Sequence, residues 1–516
     1  MLKQFFVIFS LFLLISCKKE SFLSIINSEK KEILPEISFE EIKDSQLFPF
    51  YEKNNFQLFW KDSLLRNQMI NLIKNIENEG LFLKDFDLIS LEKMENKIKQ
   101  FKKVDSVNYD ILLTKNLKNY INFGFYGKIN PKKMYKDWDL ERDTLAFERI
   151  FENFRKNKNI DSLQKNVLPN HQLYKNLKLA LQEFKNIPSE NIKIIKFTQK
   201  FLPDSTYASI KEIKERLAYK KLIADSVSYS IIYDSLTVVA VKDFQKKNKL
   251  EPDGIIGQAT IDALNFTKDF RKKQIIANME RWRWYPRKLA ENYVLINLSQ
   301  YQLWSISKQD TVSSHKVIIG KISRKTPVLT SLIDKITFNP TWTVPPTILK
   351  EDLKPAATKN RNYFKRKGLT IYKNGKKVSP ANWNSNKANS YSYVQNPGTS
   401  NALGIVKLSF KNKYLVYLHD TSNRKLFTNT QRALSSGCVR VDEPLKLTEI
   451  VMNDTINFPK DSIDKLIKNK RTKHIEINSQ FMVYQWYWTA DFVNGKTVFY
   501  DDVYRLDLNL YDAMSG

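Results

Sequence analysis

The hydrophobic pattern of this 516-residue chain changes period once, and that change constrains the fold more than any other feature. Residues 45–230 are rich in Leu, Ile, Lys and Asn and poor in Gly and Pro. There Leu65, Met69, Leu72, Ile73 and Ile76 recur at helical spacing, and Gly80 follows where a C-terminal cap belongs. From about Asn292 the segments YVLINLSQYQLWSI, HKVIIG, ITFNPTWTVP and YLVYLHD read as strands, punctuated by the turn pairs Asn374-Gly375 and Pro397-Gly398. A mostly helical front is thus expected to precede a mostly β body, an α+β multidomain chain. A hydrophobic fraction of 42% and an aromatic fraction of 13% exclude general disorder.

Between the two lies a short stretch of different character. Residues 236–265 place Val241, Phe244 and Gln245 on one helix, turn at Pro252-Asp253-Gly254, and begin a second helix after Gly257 with Ile261 and Leu264 on its buried side. The expected division is a helical scaffold over 45–230, a small helical module over 231–268 and a β body over 290–458. An irregular lysine-rich insertion at about 349–393 has the look of a cap over a site. The aromatic tail over 459–516, with a strand pair around Asn494-Gly495, is expected to pack on the body.

The N-terminus predicts export. A lysine, an apolar run from Phe5 to Ile15 and the small residue Ser16 precede Cys17, which is the layout of a secretory signal and too short to span a bilayer. Leu14-Ile15-Ser16-Cys17 resembles a bacterial lipoprotein box, which implies cleavage after residue 17's predecessor and acylation of the Cys17 thiol. Residues 18–44 then read as a tether, and the protein as one anchored in the cell envelope and facing the periplasm. The net charge of +29 is spread along the helices and not gathered in one arm, so anionic wall polymers, lipid head groups and carboxylate-bearing substrates are better partners than nucleic acid.

With Cys17 lipidated, Cys438 is a single thiol without a cysteine partner in an oxidising compartment, which flags it as a reactive thiol, with a small buried hydrophobe as the open alternative. A cysteine nucleophile needs a nearby base or cation and donors for the oxyanion formed on the attacked carbonyl. Gly437 lets backbone amides approach that oxygen. His419 ends an apolar strand, shares a strand face with Tyr417, and is the histidine best set to serve as base. Its neighbour Asp420 points to the other face, so a backbone carbonyl is expected to orient the imidazole. The chain has no His-Glu-x-x-His pattern or clustered cysteines, and no metal or cofactor is expected.

His419-Asp420-Thr421 and the run Ser435-Ser436-Gly437-Cys438-Val439-Arg440-Val441 resemble the signature of the YkuD-type L,D-transpeptidases, in particular their large YcbB-like subgroup. Further likeness lies in NMERWRW (278–284), NPTWTVPPTI (339–348), QNPGTSNALGIVKL (395–408), YWTA and DDVY. The pattern AVKxFQ, DGxxG, TxxALN resembles a peptidoglycan-binding module. Many members of the wider family carry His where Ser436 stands, whereas the large subgroup carries Ser. The resemblance implies Cys438 as acyl-accepting nucleophile and His419 as its base, with Gly437 and the Cys438 amide in the oxyanion hole beside Ser436. Tyr417 and Trp342 would line the donor site, and Arg440 would order the loop or meet a substrate carboxylate. The implied reaction joins peptidoglycan stem peptides on neighbouring glycan strands into 3-3 crosslinks through a thioester, at a site that carbapenems acylate. Two alternatives stay open from sequence: a non-catalytic wall-binding lipoprotein, and a cysteine L,D-carboxypeptidase that uses water as acceptor.

Overall fold

A computed structural model describes residues 36–144, 146–184, 194–224, 230–248, 250–398, 400–453, 459–477 and 481–516. The expected leader, Cys17 and most of the tether lie outside the described residues.

The helical front is built as its periodicity predicts. In α1 (Ser63–Lys74) the Asp62 side chain caps the first turn by accepting from the Leu64 N–H, and Leu65, Met69, Leu72 and Ile73 are buried. Gly80 does not end this helix. It closes the next 3-10 turn, Ile76–Glu79, in a left-handed conformation at φ +66°. The long α2 (Lys103–Tyr126) sends Leu113, Leu117, Tyr120 and Ile121 into the same core, and α3 (Gln172–Glu183) leaves it to pack on the β body through Tyr174, Leu177, Ala180 and Leu181.

The small module is larger than its motif. α4 (Ile210–Tyr219) packs with α5 (Ser235–Lys247) and α6 (Gln258–Leu264), and the shared core reaches back to Ile195 and Phe201, well before the expected boundary at 231. The backbone bridge from Phe201 to Ile256 explains the extension, since it ties the preceding strand-like segment to the turn between the helices. The motif itself is a turn lock. The Gln245 amide donates to the Ile255 carbonyl at 2.9 Å and to Asp253 at 3.0 Å, and its oxygen accepts from the Gly254 N–H at 2.9 Å. Gly254, at φ +76°, is where the chain needs a residue without a Cβ.

α7 (Lys268–Trp284) runs through the centre of the molecule, and every residue from Gln274 to Trp284 is buried. It touches the helical front, the tail and the barrel that follows. Eight strands close that barrel: β1 (Asn292–Asn297), β2 (Gln302–Ser307), β3 (Asp310–Gly320), β4 (Val328–Phe338), β5 (Val406–Phe410), β6 (Leu418–His419), β7 (Val439–Val441) and β8 (Met482–Trp486). Their order is β4-β5-β6-β7-β3-β2-β1-β8, and β8 pairs back with β4, so the ring leaves no open edge. Alternate side chains such as Val294, Ile296, Leu303, Val317, Ile333, Leu408, Leu418, Val439 and Val483 fill the core.

The tail therefore does more than pack on the body, as the sequence suggested. β8 is a stave of the barrel, and α8 (Asp507–Ser515) lies against α7. The insertion forms a subdomain with its own sheet and core. Its strands run in the order Trp342–Thr343, Ser392–Gln395, Leu369–Lys373, Lys376–Val378, so its sheet begins at Trp342, seven residues before the expected 349, because Trp342 and Thr343 pair with Gln395 and Val394.

Candidate active site

Three adjacent barrel strands bring the chemistry together. β6 and β7 are parallel, with Leu418 opposite Val439 and His419 opposite Arg440, so Tyr417 and Cys438 are neighbours at the strand starts. The Val439 N–H donates to the Tyr417 carbonyl at 3.2 Å. On the other side of β6, Lys407 of β5 lies opposite His419.

The loop before the cysteine is braced from several directions. Ser435 Oγ donates to the Cys438 carbonyl at 2.6 Å and accepts from the Gly437 N–H at 3.1 Å. Thr326 Oγ1 donates to the Gly437 carbonyl at 2.8 Å, and Gly437 sits at φ +120°, a conformation that side chains resist. Thr326 is held in turn by the Tyr504 hydroxyl, which accepts from the Thr326 N–H at 3.0 Å and donates to the Gly320 carbonyl at 2.8 Å. The DDVY segment thus acts at a distance, as a buttress of the cysteine loop. Because the Gly437 N–H already has Ser435 as acceptor, the donor expected there for an oxyanion is committed. Among the described residues the Cys438 N–H donates to nothing.

Cys438 keeps a partly exposed surface, and His419 is only 4% exposed. The imidazole is oriented as the sequence required: Nδ1 donates to the backbone carbonyl of Asp420 at 2.5 Å, which leaves Nε2 as the ring's lone-pair atom. The Asp420 carboxylate turns elsewhere, accepting from the Ile405 N–H at 3.0 Å and from Arg424 at 2.8 Å. Gly404 makes room for it, since a Cβ there would come within 2.2 Å of an Asp420 oxygen.

Burial drives both Cys438 and His419 toward their neutral forms. Burial pushes the Cys438 thiol up, against the Tyr417 backbone and hydroxyl, Lys407 and Arg440, which all favour the thiolate. Burial carries His419 down to about 3, helped by Arg440 and Lys407 and opposed by the hydrogen bond to Asp420. Both shifts favour a neutral thiol and a neutral imidazole over a thiolate–imidazolium pair. Tyr417 bears on both groups: its ring lies 5.5 Å from the imidazole centroid, and its hydroxyl faces the thiol and Trp342.

Trp342 and Ser436 connect the site to the cap. Trp342 is half-buried at the base of the cap sheet. Ser436 Oγ accepts from Arg324 at 2.8 Å, and the same guanidinium holds Glu351 at 2.7 Å and Asp352 at 2.6 Å on the cap's first helix. Arg440 is half-buried, and its Nε is buried without a hydrogen-bond partner among the described residues. Sequence reasoning missed Lys407, Arg324, Thr326 and Tyr504; the tight Ser-Ser-Gly-Cys turn signalled a need for support but not its source. Among the described residues no group of His, Cys, Asp and Glu forms a metal cluster. A cavity of about 640 Å³ opens in the helical front, and none of its lining residues belongs to the cysteine site.

Residues 291–463, which hold all of these strands up to β7, match the family model described as "L,D-transpeptidase catalytic domain", of the YkuD type. The chain carries an L,D-transpeptidase catalytic domain. Residues 206–264 match the model "Putative peptidoglycan binding domain", and residues 45–181 one described as "Scaffold domain". The chain is also similar to a protein of Haemophilus influenzae named "Putative L,D-transpeptidase", 33% identical over 239 residues, which are 46% of this chain and 48% of that protein. The match thus spans about half the length of that relative. A solved L,D-transpeptidase from Stackebrandtia nassauensis is 13% identical, covering 60% of this chain and 100% of that one at a TM-score of 0.17. One from Xylanimonas cellulosilytica is 14% identical, covering 57% and 100% at a TM-score of 0.16.

Proposed function

We propose that this protein is a peptidoglycan L,D-transpeptidase that forms 3-3 crosslinks by cysteine acyl transfer. The observation that carries the reading is a partly exposed cysteine, with a free backbone N–H, at the start of the strand paired with that of a buried histidine whose tautomer is set by a main-chain carbonyl. Cys438 attacks the carbonyl of the third, L-centred residue of a tetrapeptide stem. The S–C bond forms, the C–N bond to the terminal D-alanine breaks, and the thiol proton passes through His419 Nε2 to the departing amine. A side-chain amine of a second stem then attacks the thioester, loses its proton to His419 and releases Cys438. Because both groups are neutral at rest, proton transfer accompanies attack.

The Cys438 N–H is the backbone donor for the oxyanion, with the Tyr417 hydroxyl as its partner, and Gly437 contributes its conformation. Trp342 lines the donor site under the cap, and Ser436 ties the loop to Arg324. The peptidoglycan-binding domain supports the wall polymer as substrate, and Cys17 is proposed as the lipidated anchor of a periplasm-facing envelope protein. The test is muropeptide analysis of cells carrying Cys438→Ala: loss of 3-3 crosslinks is expected, and an unchanged profile overturns the reading in favour of a wall-binding lipoprotein. Intact mass after incubation with a carbapenem is expected to show one adduct on Cys438.

A further inference from the structure

The transfer scheme gives no role to Lys407, a cation that bears on Cys438 from a neighbouring strand. Lys407 stands opposite His419 in the β5–β6 register, and its Nζ rests 4.0 Å from the centroid of the Tyr417 ring. It is half-buried, and among the described residues no carboxylate pairs with it and no hydrogen-bond acceptor receives it. A half-buried ammonium without a counter-ion is costly, so its retention beside a reactive thiol asks for a compensating negative charge. We propose that Lys407 is a positioning cation of the cysteine site, held on the Tyr417 ring so that its charge stabilises the Cys438 thiolate formed during acyl transfer.

The surrounding charges single it out. Cys438 is faced by Tyr417 from β6, Lys407 from β5 and Arg440 from β7, and the two cations both favour its ionised form. Lys407 is faced by Cys438, by the Tyr417 ring and by Lys335 of β4, which is itself paired with Glu476 at 2.8 Å. Arg440 follows the cysteine by two residues on β7, whereas Lys407 reaches in from another strand, on a flexible stem that can follow charge as it develops. The same ammonium opposes an imidazolium at His419, which makes protonated His419 a stronger acid toward the departing amine. That second consequence rests on the transpeptidase reading; the effect on the thiol does not.

The test therefore uses a reagent unrelated to peptidoglycan. Full-length protein is alkylated with iodoacetamide across pH, and modification of the peptide bearing Cys438 is followed by mass spectrometry. Lys407→Met and Lys407→Gln are expected to raise the midpoint by about one pH unit, slowing alkylation about tenfold below it, while Lys407→Arg keeps the wild-type midpoint. An unchanged midpoint in natively folded Met and Gln variants, or an equal shift in Lys407→Arg, overturns the proposal. A rise in KM for stem peptides with the midpoint unchanged also overturns it and makes Lys407 a substrate contact. Should neither neutral variant fold, the coupling is read in wild-type protein. Capping Cys438 with a neutral methylthio group is expected to lower the titration midpoint of the Lys407 ammonium, seen by NMR and assigned by its loss in Lys407→Arg; no change overturns the proposal. Failure here leaves the crosslinking assay intact, and a failed crosslinking assay leaves the alkylation result standing.

Discussion

Two buried clusters of charge in this molecule are built on opposite rules. At the C-terminal end of α7, Arg281 reaches Asp507 at 2.5 Å and Arg283 reaches Glu280 at 3.2 Å, all four side chains fully buried. Around them Asn278 and Thr489 exchange two hydrogen bonds, 2.7 and 2.8 Å, and Thr489 also donates to Asp507 at 2.7 Å. Guanidinium atoms are left over there, Nε and Nη2 of Arg281 among them, but each charge has its opposite. At the cysteine site, Lys407 and Arg440 have no carboxylate among the described residues. A paired charge specifies how helix, barrel and tail dock. An unpaired one is explained, on the proposed reaction, by the anion, thiolate or oxyanion, that would form in front of it.

The contrast is open to direct attack. Arg281→Met strands Asp507 in the core and is expected to cost about 3–5 kcal/mol, read as a lower urea midpoint by tryptophan fluorescence. A smaller loss would mean that Asp507, whose carboxyl burial raises to about 6, simply takes up a proton. The acid limb tests the cysteine site. Burial keeps folded His419 neutral down to about 3, while the unfolded imidazole protonates near 6.5, so stability falls as pH drops through that window. His419→Asn removes this component, worth about 3 kcal/mol at pH 4, and its stability curve should be flatter than wild type between pH 6.5 and pH 4.

Smaller effects separate the clusters further. Arg324→Ala frees the cap from Ser436 and is expected to lose about 1 kcal/mol or less, because Glu351 and Asp352 are 50% and 42% exposed, but to speed proteolytic cleavage within the cap several-fold. Arg440→Met is expected to change stability least, by under about 1 kcal/mol in either direction, since it strands no partner, while lowering acyl transfer. If Arg440→Met proved as damaging to stability as Arg281→Met, the rule separating the clusters would fall.

Much of this was legible in the chain. Helical spacing located α1, the DGxxG turn located the module's lock, and the tight Ser-Ser-Gly-Cys run with His419 located two residues that the fold brings onto adjacent strands. The tail was harder. An aromatic segment reads alike whether it packs on a barrel or completes it, because burial on both faces erases the alternation that marks a half-exposed strand. The cap's true start was hidden for a similar reason: Trp342 and Thr343 are a two-residue strand, too short for any period.

By itself, then, the order of residues determined which groups are candidates for the chemistry and which segments are helix or strand, because side-chain type and local spacing are properties of neighbours in the chain. Only tertiary structure decided their state. That burial pushes Cys438 and His419 toward their neutral forms, that the Gly437 amide is already occupied, and that Tyr504 supports the cysteine loop through Thr326 depend on burial and on contacts between residues as much as 184 positions apart. Burial and long-range register are collective results of closing the barrel, and no local pattern contains them.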